Sequence, residues 1–334
     1  MKTILIITNS QDIHADFITP VLSSKQHKPF RINLDQFPRD YKISQSYCER
    51  NAKITIEHLP TGHTLDLMQV AAIWSRKPAE FSFLSDDLSP QENIFAKTET
   101  DHALFGMLYP LDCYWMSHPL ALRGAAWKGE QLSRAEKIGF KIPASLVTNC
   151  PDEVRNFKGR LAGDMIFKTL STPDLASSEV TSEERVADGL PTTIVTDEFM
   201  ENLDAVREVP CHFQEYIPKQ YELRITVIGE HLFAAKIHSQ ENTKTQIDFR
   251  DMSADILFEA TQLPEEIERR CLALVKSYGL NYSAMDIIVT PDNDYVFLEN
   301  NPTGQFLFIE QLIPEYNMLE TLADTLIKEV ECRS

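Results

Sequence analysis

The stretch Asp286-Ile-Ile-Val-Thr-Pro-Asp-Asn-Asp-Tyr-Val-Phe-Leu-Glu-Asn-Asn-Pro-Thr-Gly304 contains two short apolar runs on either side of Pro291-Asp-Asn-Asp294. Proline, asparagine and aspartate are typical of turns, so the pattern predicts a β-hairpin. Asp286 then lies where the first strand begins and Glu299 where the second ends, which makes them neighbours in an antiparallel pair. Asn301 follows two residues later. The sequence therefore predicts three oxygen-bearing side chains at one end of a hairpin.

An all-oxygen cluster of few ligands suits Mg²⁺, which keeps some of its waters and takes other ligands from substrate phosphates. The same acids are equally compatible with ordinary polar residues at strand ends. The hairpin alone leaves both interpretations open, so the rest of the chain has to decide between them.

Composition describes a globular protein. The chain has 334 residues, 43% of them hydrophobic, and a formal net charge of −18. Such a charge repels a nucleic-acid backbone, so we expect no nucleic-acid partner. No apolar run approaches the ~20 residues that span a bilayer, and the first apolar run is too short for a signal peptide, so we expect a cytoplasmic protein without a membrane partner. The six cysteines lack paired ligand spacing, which argues against structural zinc.

The N-terminal part of the chain, residues 1–116, alternates strand-like and helix-like segments, which predicts a small α/β domain. A helix is expected over residues 90–108, with Phe95, His102, Phe105 and Leu108 on one buried stripe. The domain has no GxGxxG sequence, so a dinucleotide-binding interpretation lacks its main support.

A basic sequence, Ser75-Arg76-Lys77, follows the strand predicted at Val70 to Trp74. Strand ends of this kind bind ligands in open α/β sheets. A solvated basic turn is the more ordinary interpretation, and it is the one we favour for Arg76 and Lys77.

Beyond residue 116, several charged residues fit poorly into apolar strand faces, namely Lys168, Glu222, Arg224, Lys236, Asp286 and Glu299. Cations neutralise phosphate oxygens, and carboxylates hold a metal that bridges those oxygens. The set therefore predicts a site for a Mg²⁺-bound polyphosphate. The P-loop sequence GxxxxGK[ST] and the HRD and DFG motifs are absent, which excludes the P-loop and protein-kinase solutions.

The order of motifs over residues 117–327 resembles the ATP-grasp superfamily, in which two α+β subdomains hold ATP between them. The motifs are Trp127-Lys128, Gly139-Phe-Lys-Ile-Pro143, Ile166-Phe-Lys168, Gln214-Glu-Tyr-Ile217, Glu222-Leu-Arg224, Asp286 and Glu299-Asn-Asn301-Pro302. The resemblance implies an α/β (α+β) fold with a pre-ATP-grasp domain at 1–116, a central subdomain at 117–212 and a C-terminal subdomain at 213–334.

Four further stretches are similar to the ATP-grasp peptide ligases that mature microviridin-type peptides, the graspetide synthetases. They are Ile73-Trp-Ser-Arg-Lys-Pro78, the run from Trp127 through Gln131-Leu132 to Ile142-Pro-Ala-Ser-Leu-Val-Thr-Asn149, Phe167-Lys-Thr-Leu170 and Ile247-Asp-Phe-Arg250. That family joins Asp or Glu side chains of a ribosomal precursor peptide to Ser or Thr hydroxyls or to Lys amines. The sequence after Lys168 departs from the glycine-rich loop of other ATP-grasp enzymes.

The resemblance implies ATP and Mg²⁺ as cofactors and assigns roles to twelve residues. Six would bind the nucleotide: Lys128 and Lys168 the phosphates, Glu215, Tyr216 and Ile217 the adenine edge as a hinge, and Glu222 the ribose. Six would act on the transferring group and the metal: Arg224, Lys236 and Arg250 by stabilising the phosphoryl group, and Asp286, Glu299 and Asn301 as Mg²⁺ ligands.

A precursor peptide, with leader and core parts, is the partner that the resemblance implies, and we expect a homodimer. The polar segment 171–209, with strand-like pieces at Ser178-Glu-Val-Thr181 and Thr192-Thr-Ile-Val-Thr196, would hold the leader, unless it is a solvated excursion without a partner. Two other functions stay open. One is an amino-acid ligase of the glutathione-synthetase or ribosomal-protein-glutamate-ligase type, and the other is a non-catalytic nucleotide-binding scaffold.

Overall fold

The computed structural model describes residues 2–48, 51–77, 79–171, 189–250 and 254–333. Its strands are β1 (Thr3–Thr8), β2 (Phe30–Asn33), β3 (Tyr41–Cys48), β4 (Asn51–His58), β5 (His63–Asp66), β6 (Val70–Ser75), β7 (Tyr114–Trp115), β8 (Ser145–Thr148), β9 (Met165–Lys168), β10 (Thr193–Ile194), β11 (Cys211–Glu215), β12 (Tyr221–Ile228), β13 (His231–Ile237), β14 (Phe258–Thr261), β15 (Tyr282–Val289) and β16 (Tyr295–Asn301). Its α-helices are α1 (Ile13–Ser24), α2 (Pro90–Leu108), α3 (Pro119–Ala125), α4 (Lys128–Ile138), α5 (Pro151–Arg160), α6 (Asp197–Glu201), α7 (Glu265–Ser277), α8 (Leu307–Leu312) and α9 (Met318–Cys332).

One compact unit comprises residues 1–119, 279–282 and 317–334. Its parallel sheet has the strand order β2-β1-β6-β7, and β3, β4 and β5 form a separate antiparallel sheet. Helix α9 packs against α1, β1 and β6, so the last helix of the chain belongs to this unit. The parallel sheet with its covering helices is the α/β domain that the strand and helix alternation predicts.

The start of helix α2 is determined by local sequence, whereas its buried face is not. The hydroxyl of Ser89 accepts from the Glu92 N–H at 3.3 Å, and the Glu92 carboxylate accepts from the Ser89 N–H at 2.9 Å. This capping box explains why the helix begins as predicted. The predicted buried stripe is wrong, because Phe95 is 66% exposed and His102 is exposed. Burial is confined to the last turns, near Leu108, where the helix meets the rest of its unit.

The basic strand end after β6 is buried rather than solvated. Arg76 is 4% exposed and donates to the Asp12 carboxylate through Nε (3.2 Å) and Nη2 (3.4 Å). Thr8 donates to the same carboxylate at 2.6 Å, and the guanidinium lies 5.2 Å from the centre of the Trp74 ring. Burial raises the pKa of Asp12, but hydrogen bonds from His14 and Arg76 outweigh it and hold that pKa far below its usual range. The solvated turn that we favoured is therefore wrong for Arg76.

The second compact unit comprises residues 120–278 and 283–316. It contains one sheet with the order β10-β9-β11-β8 and another with the order β14-β13-β12-β15-β16. Phe167 of β9 and Phe213 of β11 pack with Phe199 of α6 on one face of the first sheet. Side chains alternate along a strand, so Lys168 and Gln214 point to the opposite face. That face carries the site described below.

The boundaries predicted at residues 116 and 212 stay predictions. Among the helices of the described residues, none combines the length and the hydropathy that crossing a bilayer requires.

Candidate active site

The acidic hairpin β15–β16 forms where it is predicted and brings its two carboxylates together. The predicted start of the first strand is wrong, because β15 begins at Tyr282 and Asp286 lies within it. Asp286 and Glu299 are directly opposite each other across the two strands, and each is 7% exposed. The Asn301 amide donates to both, at 3.4 Å to Asp286 and 3.2 Å to Glu299. The predicted convergence of the three side chains is confirmed. The pairing register shifts between Asp286 and Ile287, next to this cluster, as it does at a β-bulge.

Cations surround the carboxylates. Arg224 donates to Asp286 at 2.8 Å, the Lys128 ammonium lies 3.5 Å from Glu299, and Arg250 Nη1 lies 4.0 Å from Glu299. These groups come from α4, β12 and the segment after β13, which are far apart in the sequence. The alternation of charge makes a strongly polar centre inside the fold, where electrostatic interactions are stronger than in water.

The electrostatics of the carboxylate pair fit a bound cation. Burial raises the pKa of Asp286 even though Arg224 lies beside it. Burial acts in the same direction on Glu299, but the charges of Lys168 and Lys128 prevail and lower its pKa. Two adjacent buried carboxylates repel each other, and a divalent cation between them removes that repulsion. Among the described residues, no three His, Cys, Asp or Glu side chains are arranged so that they could hold a metal ion. A cation here would therefore have two carboxylates and the Asn301 amide as its protein ligands.

The hinge that follows β11 is held by its own backbone. The Glu215 N–H donates to the Ala144 carbonyl at 2.8 Å, and the Tyr216 N–H donates to the Asp164 carbonyl at 2.9 Å. The Glu215 carboxylate also accepts from the Ala144 N–H at 3.3 Å. Two of the three hinge donors are thereby used within the chain. The N–H of Ile217 is the hinge donor that can meet the edge of a base.

A cleft between the two sheets of the second unit joins the hinge to the carboxylates. Eight of the twelve predicted site residues line it, namely Lys168, Glu215, Tyr216, Ile217, Glu222, Arg250, Asp286 and Glu299. Ile166 on one sheet and Ile288 and Leu298 on the other provide apolar walls. Apolar walls near hinge backbone groups suit a planar base, and the charged end suits phosphates.

Arg224, Lys128 and Asn301 do not line this cleft but contact the carboxylates that do. Lys236 is different. Its partner across β12–β13 is Leu223, so its side chain lies on the face opposite to that of Arg224. There it pairs with Glu259 at 2.9 Å. The structure therefore does not bring Lys236 to the site.

A buried amide network holds α4 against β16. The Gln131 side chain accepts from the Asn300 N–H at 2.9 Å and donates to the Asn300 carbonyl at 2.8 Å and to the Ala125 carbonyl at 2.7 Å. Gln131 lies one turn after Lys128, and Asn300 follows Glu299. The network therefore sets the distance between that lysine and that carboxylate without help from a ligand.

Sequence reasoning missed three residues of this region. The Asp248 carboxylate accepts from Arg250 Nε at 2.8 Å and Nη2 at 2.6 Å, which lowers the pKa of Asp248 although burial raises it. Burial, together with the charges of Lys168 and Lys128, lowers the pKa of His212 to about 4. The third missed residue, Lys219, pairs with Glu222. The Asp-x-Arg spacing was the one available signal, since it places both side chains within reach.

Comparison with known proteins identifies the family. Residues 3–122 match the family described as the MvdD pre-ATP grasp domain. The fold is similar to that of a Chryseobacterium gregarium ATP-grasp ligase associated with RiPPs (ribosomally synthesised and post-translationally modified peptides), in complex with ADP and a leader and core peptide. The identity is 30%, over 98% of this chain and 97% of that chain, with a TM-score of 0.87. The chain belongs to the RiPP-associated ATP-grasp ligase family.

Another member of this ligase family is the macrocyclase MdnC from Microcystis aeruginosa, solved bound with the precursor peptide MdnA. It is 30% identical over 98% of this chain and 99% of that chain, with a TM-score of 0.84. The ligase PsnB, solved with a minimal precursor, Mg and ADP, shares the fold at 23% identity over 98% of this chain and 97% of that chain, with a TM-score of 0.73. No curated protein matches the sequence. The resemblance stated from the motifs and the ATP-grasp fold are both confirmed.

Proposed function

We propose that the chain is an ADP-forming, Mg²⁺-dependent ligase that joins Asp or Glu side chains of a ribosomal precursor peptide to Ser or Thr hydroxyls or to Lys amines. The observation that carries the proposal is the buried Asp286–Glu299 pair, surrounded by cations, at one end of a cleft whose other end is a hinge. The family of the chain supports it, since MdnC and the Chryseobacterium ligase are both described with precursor or leader and core peptides.

The cleft suggests how ATP would be held. The adenine edge would accept from the Ile217 N–H, with the base between the apolar walls, and the ribose would donate to Glu222. Lys128 and Lys168 would neutralise the phosphates at the charged end. Each group sits on a strand, a helix end or the braced hinge, so little ordering is needed when the nucleotide binds.

Asp286, Glu299 and Asn301 would hold Mg²⁺, the last through its amide oxygen. When bound, the cation neutralises phosphate charge and polarises the transferring phosphoryl group. Arg224 and Arg250 lie beside the same carboxylates, where charge develops as the phosphoryl group is transferred. We assign no role in this transfer to Lys236.

The chemistry has two steps. An oxygen of the substrate carboxylate attacks the γ-phosphorus of ATP, the bond between that phosphorus and the β–γ bridging oxygen breaks, and ADP leaves, so that an acyl phosphate remains. A hydroxyl oxygen or an amine nitrogen then attacks the acyl carbon, the carbon–oxygen bond to phosphate breaks, and the nucleophile loses its proton. Inorganic phosphate leaves. The protein contributes mainly by positioning the reactants and neutralising charge.

The leader-binding role of residues 171–209 stays a prediction, as do the homodimer and the cytoplasmic location. The piece at Ser178-Glu-Val-Thr181 lies outside the described residues, while the second piece contains β10, which pairs with β9. Shortening the chain between residues 174 and 188 is expected to weaken binding of a precursor far more than binding of ATP. Calorimetry with both ligands checks this, and an unchanged affinity for the full precursor would contradict it.

The experiment that tests the function is mass spectrometry of a short precursor peptide rich in Thr, Ser, Asp and Glu after incubation with the protein, ATP and Mg²⁺. The expected result is the loss of one water mass for each bond formed, with release of ADP. Mild alkaline hydrolysis then separates esters, which open, from amides, which persist. Consumption of free glutamate without change in the peptide would indicate an amino-acid ligase. Absence of any substrate-dependent ADP release would indicate a nucleotide-binding scaffold.

A further inference from the structure

A buried lysine outside the predicted site, Lys219, connects two of its parts. Lys219 lies between the hinge and β12, is 8% exposed, and lines the cleft. Its ammonium donates to Glu222 Oε1 at 2.7 Å and to the Ile247 carbonyl at 3.1 Å. Burying an ammonium costs free energy unless its donors are used. Here one donor meets the proposed ribose ligand and another meets the segment that carries Asp248 and Arg250.

The segment from Gln246 to Arg250 belongs to no helix or strand, so its position depends on a few contacts. The Phe249 ring is buried and packs edge-on against Phe258. The Tyr216 hydroxyl reaches the Gln246 carbonyl at 3.5 Å, in an exposed place. The contact from the Lys219 ammonium to the Ile247 carbonyl is shorter and part-buried, and a hydrogen bond is stronger where less water competes for it.

We propose that Lys219 is a positioning residue that couples ribose binding at Glu222 to the placement of the Asp248–Arg250 pair. The inference rests on the proposed function, since it takes Glu222 as the ribose ligand and Arg250 as a ligand of the transferring group. Lys219 occupies one oxygen of the Glu222 carboxylate and so orients the other towards a ribose hydroxyl. The same ammonium holds the backbone next to Asp248. A correctly seated ribose therefore stabilises the arrangement in which Arg250 faces Glu299.

A comparison of variants separates this role from simple charge neutralisation. Lys219→Met alone leaves the Glu222 carboxylate buried without its partner, so it reduces stability as well as activity. The double variant Lys219→Met/Glu222→Gln removes both charges and is compared with Glu222→Gln alone. If Lys219 positions the 246–250 segment, kcat of the double variant is at least about tenfold below that of Glu222→Gln at the same thermal midpoint. Equal kcat in the two variants would overturn the proposal.

Two further variants complete the set. Lys219→Arg keeps a charged donor at this position, and its kcat is expected to stay within about fivefold of the wild type. Lys276→Met, an exposed lysine of α7, is the matched control and should change neither kcat nor KM for ATP. Loss of activity in Lys219→Arg as large as in Lys219→Met would also count against a positioning role.

A readout without peptide makes the failure of this inference distinguishable from failure of the proposed function. Amide hydrogen exchange over residues 246–250 is measured with and without AMPPNP and Mg²⁺. In the wild type the nucleotide is expected to slow exchange, and in the double variant at a saturating nucleotide concentration it is expected not to. Nucleotide binding without any slowing in the wild type overturns the coupling alone. Absence of nucleotide binding overturns the proposed function itself.

Discussion

Two buried aspartate–arginine pairs, one in each compact unit, have opposite electrostatic character. Asp12 meets Arg76, Thr8 and His14 with no second carboxylate among these partners, and hydrogen bonds hold its pKa far below the usual range. Asp286 meets Arg224 but also lies directly opposite Glu299, and burial raises its pKa. The first pair is complete without a ligand.

The second pair carries more negative charge than its arginine alone can balance. A carboxylate that is satisfied by its own protein stabilises the fold, whereas two crowded carboxylates among cations store an unfavourable interaction that a bound cation relieves. Burial and an arginine partner are common to both pairs, so neither feature by itself indicates a functional site. The second carboxylate makes the difference.

The largest expected effect concerns the second pair. Glu299→Gln should lower the rate of peptide-dependent ADP release by at least about 10³-fold, because a metal-facing charge is lost while the volume is kept. The variant should still fold, but its thermal midpoint should fall, because Lys168 and Lys128 lose the charge that they stabilise in the wild type. Glu136→Gln, on the exposed side of α4, is the control. A near-wild-type rate at saturating Mg²⁺ would place Glu299 outside the metal site.

The first pair should respond in stability instead. Asp12→Asn leaves Arg76 buried without its counter-charge. The free energy of unfolding of the first compact unit should therefore fall by about 3 kcal/mol. Urea unfolding followed by the fluorescence of Trp74 and Trp115, which both lie in that unit, measures it. The affinity for ATP in the folded protein should not change. If the variant were as stable as the wild type but no longer bound ATP, the Asp12–Arg76 pair would have a functional and not a structural role.

The stability difference between the wild type and Asp12→Asn should depend on pH, because the pKa of Asp12 is lowered in the folded protein. The folded-state pKa of Asp12 is lowered, so its contribution is fully present above the unfolded-state pKa of about 3.9. It declines as the pH falls from there towards the much lower folded-state value. The gap in stability between wild type and Asp12→Asn should therefore be constant from pH 7 to pH 5 and shrink below about pH 4. A gap that widens on acidification would contradict the assignment.

A smaller effect is expected for Arg224→Lys, whose kcat should fall about 10²-fold. Lysine keeps the positive charge but lacks the planar guanidinium that lies beside Asp286. The affinity for ATP should change little. The comparison variant is Arg76→Lys, in which the loss should appear in the denaturation midpoint and not in kcat. Full activity of Arg224→Lys would mean that this arginine is only an ion-pair partner, like Arg76.

The smallest effect is expected at Gly304, which packs against the Arg224 guanidinium. A Cβ at Gly304 would lie 2.8 Å from Arg224 Nη2 and 2.7 Å from the Ala284 Cβ. Gly304→Ala should therefore displace the guanidinium and lower kcat about tenfold, with little change in the affinity for ATP. Gly159→Ala, where a Cβ would meet nothing within 4 Å, is the control. Unchanged kcat would show that the arginine adjusts without loss.

Where a feature depends on neighbours along the chain, the sequence predicted it well. The start of α2 follows from a capping box, and the β15–β16 hairpin follows from its turn residues. The register of β12–β13 could also be predicted from the sequence. Ile228 pairs with His231 across a two-residue turn, so counting outward places Lys236 opposite Leu223 and on the face away from Arg224. This register contradicts the placement of Lys236 beside the transferring phosphoryl group.

By itself, the sequence determined the order of the motifs that carry the ATP-grasp resemblance. It also determined the pairing of Asp286 with Glu299, because that pairing rests on turn chemistry and spacing over a few residues. Only the tertiary structure decided that Arg76 is a buried partner of Asp12, 64 residues away, and that Phe95 is exposed. It likewise decided that Lys219 reaches Ile247. The burial of a charge is governed by partners brought together through folding, and no local pattern encodes the identity of those partners.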